Sequence, residues 1–141
     1  MHLWRISEHL ELDGYGGYLY PGRWNSGGIH VIYTAEHSSL ALLEVLVQFE
    51  LAELPPPYQL LQIQAPDQLE TRSFAGALPA IAESRAWGDA WLRAGETAVA
   101  QVPAAVAPEA YNILINPAHA DAAGIRLIRN ARYGWDPRLF G

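Results

Sequence analysis

Residues 7–28 form a long segment, rich in glycine, tyrosine and polar residues, that any fold of this chain has to accommodate. The segment lies between two stretches of strand composition, residues 3–6 and residues 29–33. Connections of this length in a small domain usually serve a function or are disordered. This one carries four large aromatic residues, namely Tyr15, Tyr18, Tyr20 and Trp24. The sequence therefore predicts an ordered loop that lines a site.

Two helices are predicted from the spacing of apolar residues and from end signals. The first begins at Ser38 or Ser39, either of which can serve as an N-cap, and runs to about residue 51. Its apolar stripe is predicted to consist of Leu40, Leu43 and Val47. The second covers residues 85–93 and is ended by Gly95.

The remaining apolar stretches predict short strands over residues 58–64, 98–102 and 125–129. Short strands and two helices, without an internal repeat or a linker, predict an α+β fold. The length of 141 residues is typical of one domain, and a hydrophobic content of 50% is sufficient for one core. We therefore expect a single domain over residues 1–141.

Charge and composition limit the classes of partner and location. The net charge is −6, so we do not expect direct binding to the phosphates of a nucleic acid. The chain contains no cysteine, which excludes disulfides and suits a reducing compartment. The sequence shows neither a secretory signal nor a membrane-spanning apolar run. These features predict a cytoplasmic protein that does not bind membranes.

Two patterns suggest cofactor or metal binding, but the residues around them do not support either site. Gly14-Tyr15-Gly16-Gly17 looks like a dinucleotide-binding turn, but such a turn opens a helix directly after a strand, whereas Pro21 and Gly22 follow here. The five histidines show no paired metal-ligand spacing. We therefore expect neither a Rossmann site nor a metal site.

Arg5, Arg23, Tyr33 and Glu44 are the main candidates for a functional site. Arg23 lies in the glycine-flanked motif Gly22-Arg23-Trp24-Asn25, where it can bind phosphate oxygens bidentately or simply form a salt bridge in a loop with a buried tryptophan. Glu44, in an apolar helix segment, either faces solvent, lies in a cleft or pairs with Arg5 as a structural salt bridge. Two cations, an aromatic ring and a carboxylate together suit a dinucleotide.

The order of motifs along the chain resembles the RES domain family, the toxins of a type II toxin–antitoxin system. The resemblance rests on seven stretches in the family's order that span nearly the whole chain: Trp4-Arg5-Ile6, Gly22-Arg23-Trp24-Asn25, Val31-Ile32-Tyr33-Thr34-Ala35, Ala41-Leu42-Leu43-Glu44, Val102-Pro103, Asn112-Ile113-Leu114-Ile115-Asn116-Pro117-Ala118-His119 and Asp136-Pro137-Arg138-Leu139. It implies a fold similar to that of ADP-ribosyltransferases and an activity that consumes NAD as a substrate, with no resident cofactor.

The resemblance also implies roles for single residues. The family's site positions correspond to Arg5, Arg23, Tyr33 and Glu44, of which the last three are implied to be catalytic and all four to bind NAD. The family usually has a serine in this NAD site where the chain has Ala104. Either a neighbouring group or water replaces the missing hydroxyl, or the activity is weakened, in which case Ala104→Ser is expected to raise it.

The implied reaction breaks the bond between nicotinamide and ribose, whose pyridinium leaving group needs no protonation. Glu44 is expected to place negative charge beside the oxocarbenium-like ribose, while Arg5 and Arg23 hold the phosphates or ribose and Tyr33 packs or hydrogen-bonds beside the nicotinamide ring. Water, phosphate or a protein side chain remains open as the acceptor. The resemblance thus implies a glycohydrolase, a phosphorylase or an ADP-ribosyltransferase.

Partners follow from the same resemblance. It implies an antitoxin with an Xre-like helix-turn-helix domain that covers the NAD cleft, and it allows a homodimer within that complex. One rival is a weakened protein that keeps only NAD and antitoxin binding. A ribonuclease is disfavoured by the acidic charge and by the lack of an evident cleavage pair.

Overall fold

A mixed sheet of seven strands organises the structure, a computed structural model that describes residues 1–48 and 58–140. The strands of these residues are β1 His2–Ser7, β2 Ile32–Ala35, β3 Gln59–Gln64, β4 Thr71–Ser73, β5 Val99–Pro103, β6 Tyr111–Ile115 and β7 Arg126–Arg132. The helices are α1 Tyr15–Leu19, α2 Ser38–Leu46 and α3 Ile81–Ala94, with short 3₁₀ helices at Ala120–Gly124 and Pro137–Phe140. These elements confirm the predicted α+β class.

The order of strands in the sheet is β4-β5-β6-β2-β1-β3-β7. β4 and β5 pair in parallel, and the other neighbours pair antiparallel. β1 and β2 are therefore neighbours in the middle of the sheet, with Trp4 opposite Ala35. This pairing brings the residues at the start of the chain next to those that follow the long glycine-rich segment.

Most predicted elements are present with shifted ends. α3 begins at Ile81, four residues before the predicted start at residue 85, and Gly95 ends it in the left-handed conformation with φ 61°. α2 begins at Ser38, but His37 is its N-cap residue and no side chain caps it. α2 ends at Leu46 with Val47 as its C-cap residue, so the helix is shorter than predicted, and the predicted end near residue 51 lies outside the described residues.

The sequence pattern missed two strands, β4 and β6. Four of the five residues of β6 are buried, because it lies between β5 and β2 and is covered on both faces. Such a strand shows no alternation of apolar and polar residues, and this one runs directly into the Asn116-Pro117 turn. β4 has three residues, all exposed, so it carries no apolar signal at all.

The apolar stripe predicted for α2 is partly wrong. Leu40 is buried as expected, but Leu43 is 43% exposed and Val47 is 63% exposed. The helix instead buries Ala41 and Val45 together with Leu40. Ala41 packs against Ile6 and Ala35 of the sheet, and Glu44, three residues later, lines a cleft beside the helix.

α3 covers another part of the sheet through Trp91 and Leu92, which pack against Ala100, Val102 and Leu114 in one buried cluster. Complete burial of a large apolar side chain contributes about 1.5–3 kcal/mol, so this cluster fixes the helix firmly on β5 and β6. Within residues 1–48 and 58–140, no helix has both the length and the apolar character needed to cross a membrane.

Candidate functional site

A cleft of about 630 Å³ opens between β1, β2, α2 and the loop that precedes β2. Its size lies within the range of about 300–1,000 Å³ that is typical of small-molecule sites. Arg5, Arg23, Tyr33 and Glu44 all line it. The structure therefore brings four sequence-predicted site residues together, although they come from β1, the loop, β2 and α2.

Arg5 projects from the middle of β1, and its Nη1 donates a hydrogen bond to the backbone carbonyl of Tyr33 at 2.8 Å. Burial lowers the pKa of the guanidinium from its ordinary value, and the more distant Asp13 opposes this effect. An arginine remains protonated in spite of such a shift. A guanidinium has more N–H donors than this one bond uses, so Arg5 supplies a fixed positive charge with donors for a ligand.

Arg23 lies on the loop between α1 and β2, where its Nη2 donates to the carbonyl of Pro79 at 2.7 Å. Its Nε is buried and has no hydrogen-bond partner among the described residues. An unsatisfied buried donor is costly unless a ligand or water supplies the acceptor. The guanidinium of Arg23 is therefore fixed through Nη2, while its Nε has a free donor for a ligand.

Tyr33 contributes its ring to the cleft, while its hydroxyl group is used inside the protein. The hydroxyl accepts a hydrogen bond from the Trp24 amide at 3.0 Å and donates to Asn25 Oδ1. Burial raises the pKa of Tyr33 to about 12, although the bond from Trp24 works in the opposite direction. The hydroxyl therefore stays neutral and ties β2 to the loop that carries Arg23.

Asn25, the last residue of the motif Gly22-Arg23-Trp24-Asn25, holds the loop together from inside the protein. It is 1% exposed, and its Nδ2 donates to the carbonyl of Gly17 at 2.9 Å. Its Oδ1 accepts from the amide of Gly22 as well as from the hydroxyl of Tyr33. A Cβ atom at Gly22 would lie 2.5 Å from that hydroxyl oxygen, so only glycine fits at this position. These contacts order the predicted loop.

Glu44 projects from α2 into the cleft, and its Oε1 is buried without a hydrogen-bond partner among the described residues. Burial raises the pKa of its carboxyl group, and a hydrogen bond with Asn112 offsets part of this rise. Asn112, on β6, also donates through Nδ2 to the carbonyl of Thr34 at 3.2 Å. The carboxylate is therefore desolvated and has spare acceptor capacity, as expected of a group that meets a ligand.

The salt bridge suggested between Arg5 and Glu44 does not form among the described residues. Arg5 bonds instead to the backbone of Tyr33, and Glu44 keeps an unpartnered oxygen. The sequence pattern did not show that β2 would lie directly beside β1 and offer a carbonyl closer to the guanidinium. The guanidinium of Arg5 and the carboxylate of Glu44 therefore do not neutralise each other in the cleft.

Ala104 lies behind the wall of the cleft. It is fully buried and packs in a cluster with Ile6, Ala41 and Val45, whereas its neighbour Ala105 lines the cleft. The methyl group of Ala104 thus serves the packing of α2 on the sheet. A contact of this position with NAD stays a prediction, to which the observed packing adds no support.

Two cations and one carboxylate in a partly closed cleft can bind a phosphate-containing ligand and stabilise positive charge near Glu44. The described residues contain no group of three or more His, Asp or Glu side chains placed to hold a metal ion. The two cations and the carboxylate that line the cleft suggest electrostatic stabilisation around a bound anionic ligand.

Known proteins that are similar in sequence belong to the family that the motifs resemble, and a known structure shares the fold. The family model described as the RES domain matches residues 2–136. The Prs ADP-ribosylating toxin of Sphingobium sp. (strain YBL2) is 34% identical over 152 aligned positions, which cover 96% of this chain and 94% of that protein. Toxin Res of Pseudomonas putida (strain KT2440) is 34% identical over 146 positions, which cover 99% of this chain and all of that protein.

The crystal structure of the M. tuberculosis MbcT-MbcA toxin-antitoxin complex contains a chain with the same fold. The TM-score is 0.75 at 19% sequence identity, and the match covers 99% of this chain and 86% of that one. The family match and the relatives above 30% identity span nearly the whole sequence. This chain therefore belongs to the RES domain family.

Proposed function

We propose that this protein is the toxin of a toxin–antitoxin pair and that it cleaves the bond between nicotinamide and ribose in NAD. The observation that carries the proposal is the cleft in which Glu44, with an unpartnered buried oxygen, lies with Arg5 and Arg23. Two relatives of nearly equal length support it, since one is named as an ADP-ribosylating toxin and the other as Toxin Res.

Arg5 and Arg23 provide the binding energy for the anionic part of the substrate. Among the described residues each guanidinium has one hydrogen bond, to a backbone carbonyl, which leaves further donors for the pyrophosphate. A hydrogen bond to a charged group contributes about 1.5–3 kcal/mol. Two such residues fix the dinucleotide so that its nicotinamide ribose lies beside Glu44.

Glu44 stabilises the transition state. The bond between ribose C1′ and the nicotinamide nitrogen breaks with its electron pair moving to that nitrogen, so nicotinamide leaves as a neutral molecule. The ribose acquires oxocarbenium character, which the Glu44 carboxylate stabilises because it is negative and desolvated. An acceptor oxygen then bonds to C1′ and releases its proton to solvent.

The acceptor separates hydrolysis, phosphorolysis and transfer to a protein. The name of the Sphingobium relative favours transfer of ADP-ribose as a second candidate activity. Water and phosphate yield free ADP-ribose and its 1″-phosphate, respectively, whereas transfer yields a modified protein. These products differ in mass, so a single reaction mixture distinguishes the three.

The test is to incubate the purified protein with NAD, with and without phosphate and with and without cell extract, and to measure nicotinamide release and ADP-ribose products by mass spectrometry. We expect nicotinamide release by the wild type and its near loss in Glu44→Gln. NAD binding without nicotinamide release or protein modification would leave the weakened binding protein as the better description.

The proposed partner is an antitoxin with an Xre-like helix-turn-helix domain that covers the cleft. Expression of the wild type alone is expected to arrest growth, and co-expression of the neighbouring gene product is expected to restore it. Arrest that persists, together with no complex in gel filtration, would refute this pairing.

A further inference from the structure

Helix α3 faces the loop of residues 22–26 with side chains that bind the loop backbone. Ser84, Arg85, Gly88 and Asp89 share one face of the helix, since neighbours and residues four apart lie close together on its surface. The loop carries Arg23, one of the two cations that line the cleft. The contacts of these helix residues occur at four of the five loop positions.

The two ends of the loop are held by opposite charges. Arg85 Nε donates to the carbonyl of Gly22 at 2.8 Å. Asp89 Oδ1 accepts from the amide of Ser26 at 3.0 Å. Arg85 thus binds a carbonyl oxygen at the start of the loop, and Asp89 binds an N–H group at its end. Both hydrogen bonds involve a charged group and are therefore of the stronger, charge-assisted kind.

The middle of the loop rests directly on the helix. Ser84 is fully buried, and its Oγ lies 2.7 Å from the carbonyl oxygen of Arg23. A Cβ atom at Gly88 would lie 1.7 Å from the carbonyl oxygen of Trp24, so the helix and the loop touch through their backbones. These contacts fix the path of the loop whatever its side chains are.

The guanidinium of Arg23 is supported from the same direction. Its Nη2 donates to the carbonyl of Pro79, which lies just before the first residue of α3. Both the backbone and the side-chain end of Arg23 therefore depend on where α3 lies. α3 is in turn fixed to the sheet by Trp91 and Leu92.

We infer that α3 holds the loop of residues 22–26 in the conformation that presents Arg23 to the substrate, with Arg85 as a positioning residue for the binding of NAD. This inference rests on the proposed function for the identity of the ligand. Arg85 is not among the described residues that line the cleft, so it acts through the loop.

The chain offers a matched control, because Arg93 is an exposed arginine on the same helix. Arg85→Ala is expected to weaken NAD binding in calorimetry about tenfold, which corresponds to about 1.4 kcal/mol. Arg93→Ala makes the same change of charge and is expected to alter the affinity less than about twofold. Arg85→Lys restores a donor for the Gly22 carbonyl and is expected to recover part of the affinity.

A double-mutant cycle tests whether Arg85 acts through Arg23. In an Arg23→Ala background, Arg85→Ala is expected to change the affinity for NAD less than about twofold, because the group that it positions is gone. Independent multiplication of the two losses would overturn the inference. Ser84→Ala, which removes a single hydroxyl, is a second and milder variant with the same expected pattern.

Hydrogen–deuterium exchange of residues 22–26 gives a readout that does not depend on NAD. Exchange is expected to be faster in Arg85→Ala than in the wild type and unchanged in Arg93→Ala. Equal exchange in all three proteins would overturn the positioning role, even if NAD is cleaved. Suppose that exchange is faster in Arg85→Ala but the wild type does not bind NAD. This result would refute the proposed function, while the positioning of residues 22–26 by α3 would still hold.

Discussion

Replacement of Glu44 by glutamine is expected to lower activity and raise stability together. The variant keeps the shape of the side chain and removes its charge from the cleft. Loss of one electrostatic stabiliser of a transition state typically lowers the rate by about 10²–10³, or about 2.7–4 kcal/mol. Nicotinamide release by Glu44→Gln should fall by this factor if the carboxylate faces the developing positive charge.

The stability gain follows from the unpartnered Oε1 of Glu44. A buried group left without its hydrogen bond costs about 1–3 kcal/mol. Glutamine still buries a polar amide at the same place, so the expected gain at neutral pH is about 1 kcal/mol. For a chain of this length, that gain raises the Tm by about 3 °C.

The pH dependence of this gain has a definite sign. Burial raises the folded-state pKa of Glu44 above its ordinary value of 4.5. The folded state therefore binds more protons than the unfolded state between the two values, and the wild type loses stability as the pH rises through that interval. Glu44→Gln lacks this loss, so its stability advantage should be absent below the ordinary pKa and complete above the raised one. Wild-type activity should rise over the same interval, because the reaction needs the carboxylate.

The assay combines nicotinamide release and urea unfolding of wild type, Glu44→Gln and Glu70→Gln from acid to neutral pH. Glu70 is exposed, so its replacement makes the same change of charge outside the cleft and should leave both measurements nearly unchanged. Full activity in Glu44→Gln would refute the catalytic role. Lost activity together with lower stability would show instead that Glu44 supports the fold.

Three further variants test other parts of the site. Arg23→Lys keeps the charge without the planar fork, so calorimetry should show about tenfold weaker NAD binding at nearly constant Tm; equal affinities would exclude bidentate binding. Ala104→Ser adds a hydroxyl to a fully buried cluster and should lower the free energy of unfolding by about 1 kcal/mol with less than about threefold change in turnover, and a larger gain would place the hydroxyl at the substrate. Gly88→Ala forces a Cβ toward the Trp24 carbonyl and should cost about 1–3 kcal/mol in urea unfolding, whereas an unchanged midpoint would contradict the close contact.

The sequence predicted the residues of the cleft better than their partners. Arg5 and Glu44 were singled out because a charged residue in an apolar segment is costly to bury unless it has a partner or a ligand. Both line the cleft. Their suggested salt bridge was wrong, because the choice of a partner depends on which strand lies beside β1. The backbone carbonyl of Tyr33 carries no signal in the sequence, since every residue has such a group.

The support from α3 was missed for a similar reason. Ser84, Arg85 and Asp89 look like ordinary polar residues of an amphipathic helix, and their partners are backbone atoms about sixty residues earlier. Gly88 was the available signal, because a glycine in the middle of a helix lowers its stability and often marks a close approach of another chain segment. β6 went unnoticed because a strand buried on both faces lacks an alternating pattern of apolar and polar residues.

The central place of β6 also decides when the cleft can exist during synthesis. β2 pairs with β6 along its whole length, and Thr34 donates to the carbonyl of Ile113, 79 residues further along the chain. Ribosomes add about 5–20 residues per second, so roughly 4–16 s separate the translation of these two strands. Arg5 and Arg23 are made before that interval begins and Glu44 early within it, whereas Asn112 is made only at its end. A nascent chain therefore has no complete cleft until its final fifth is being translated.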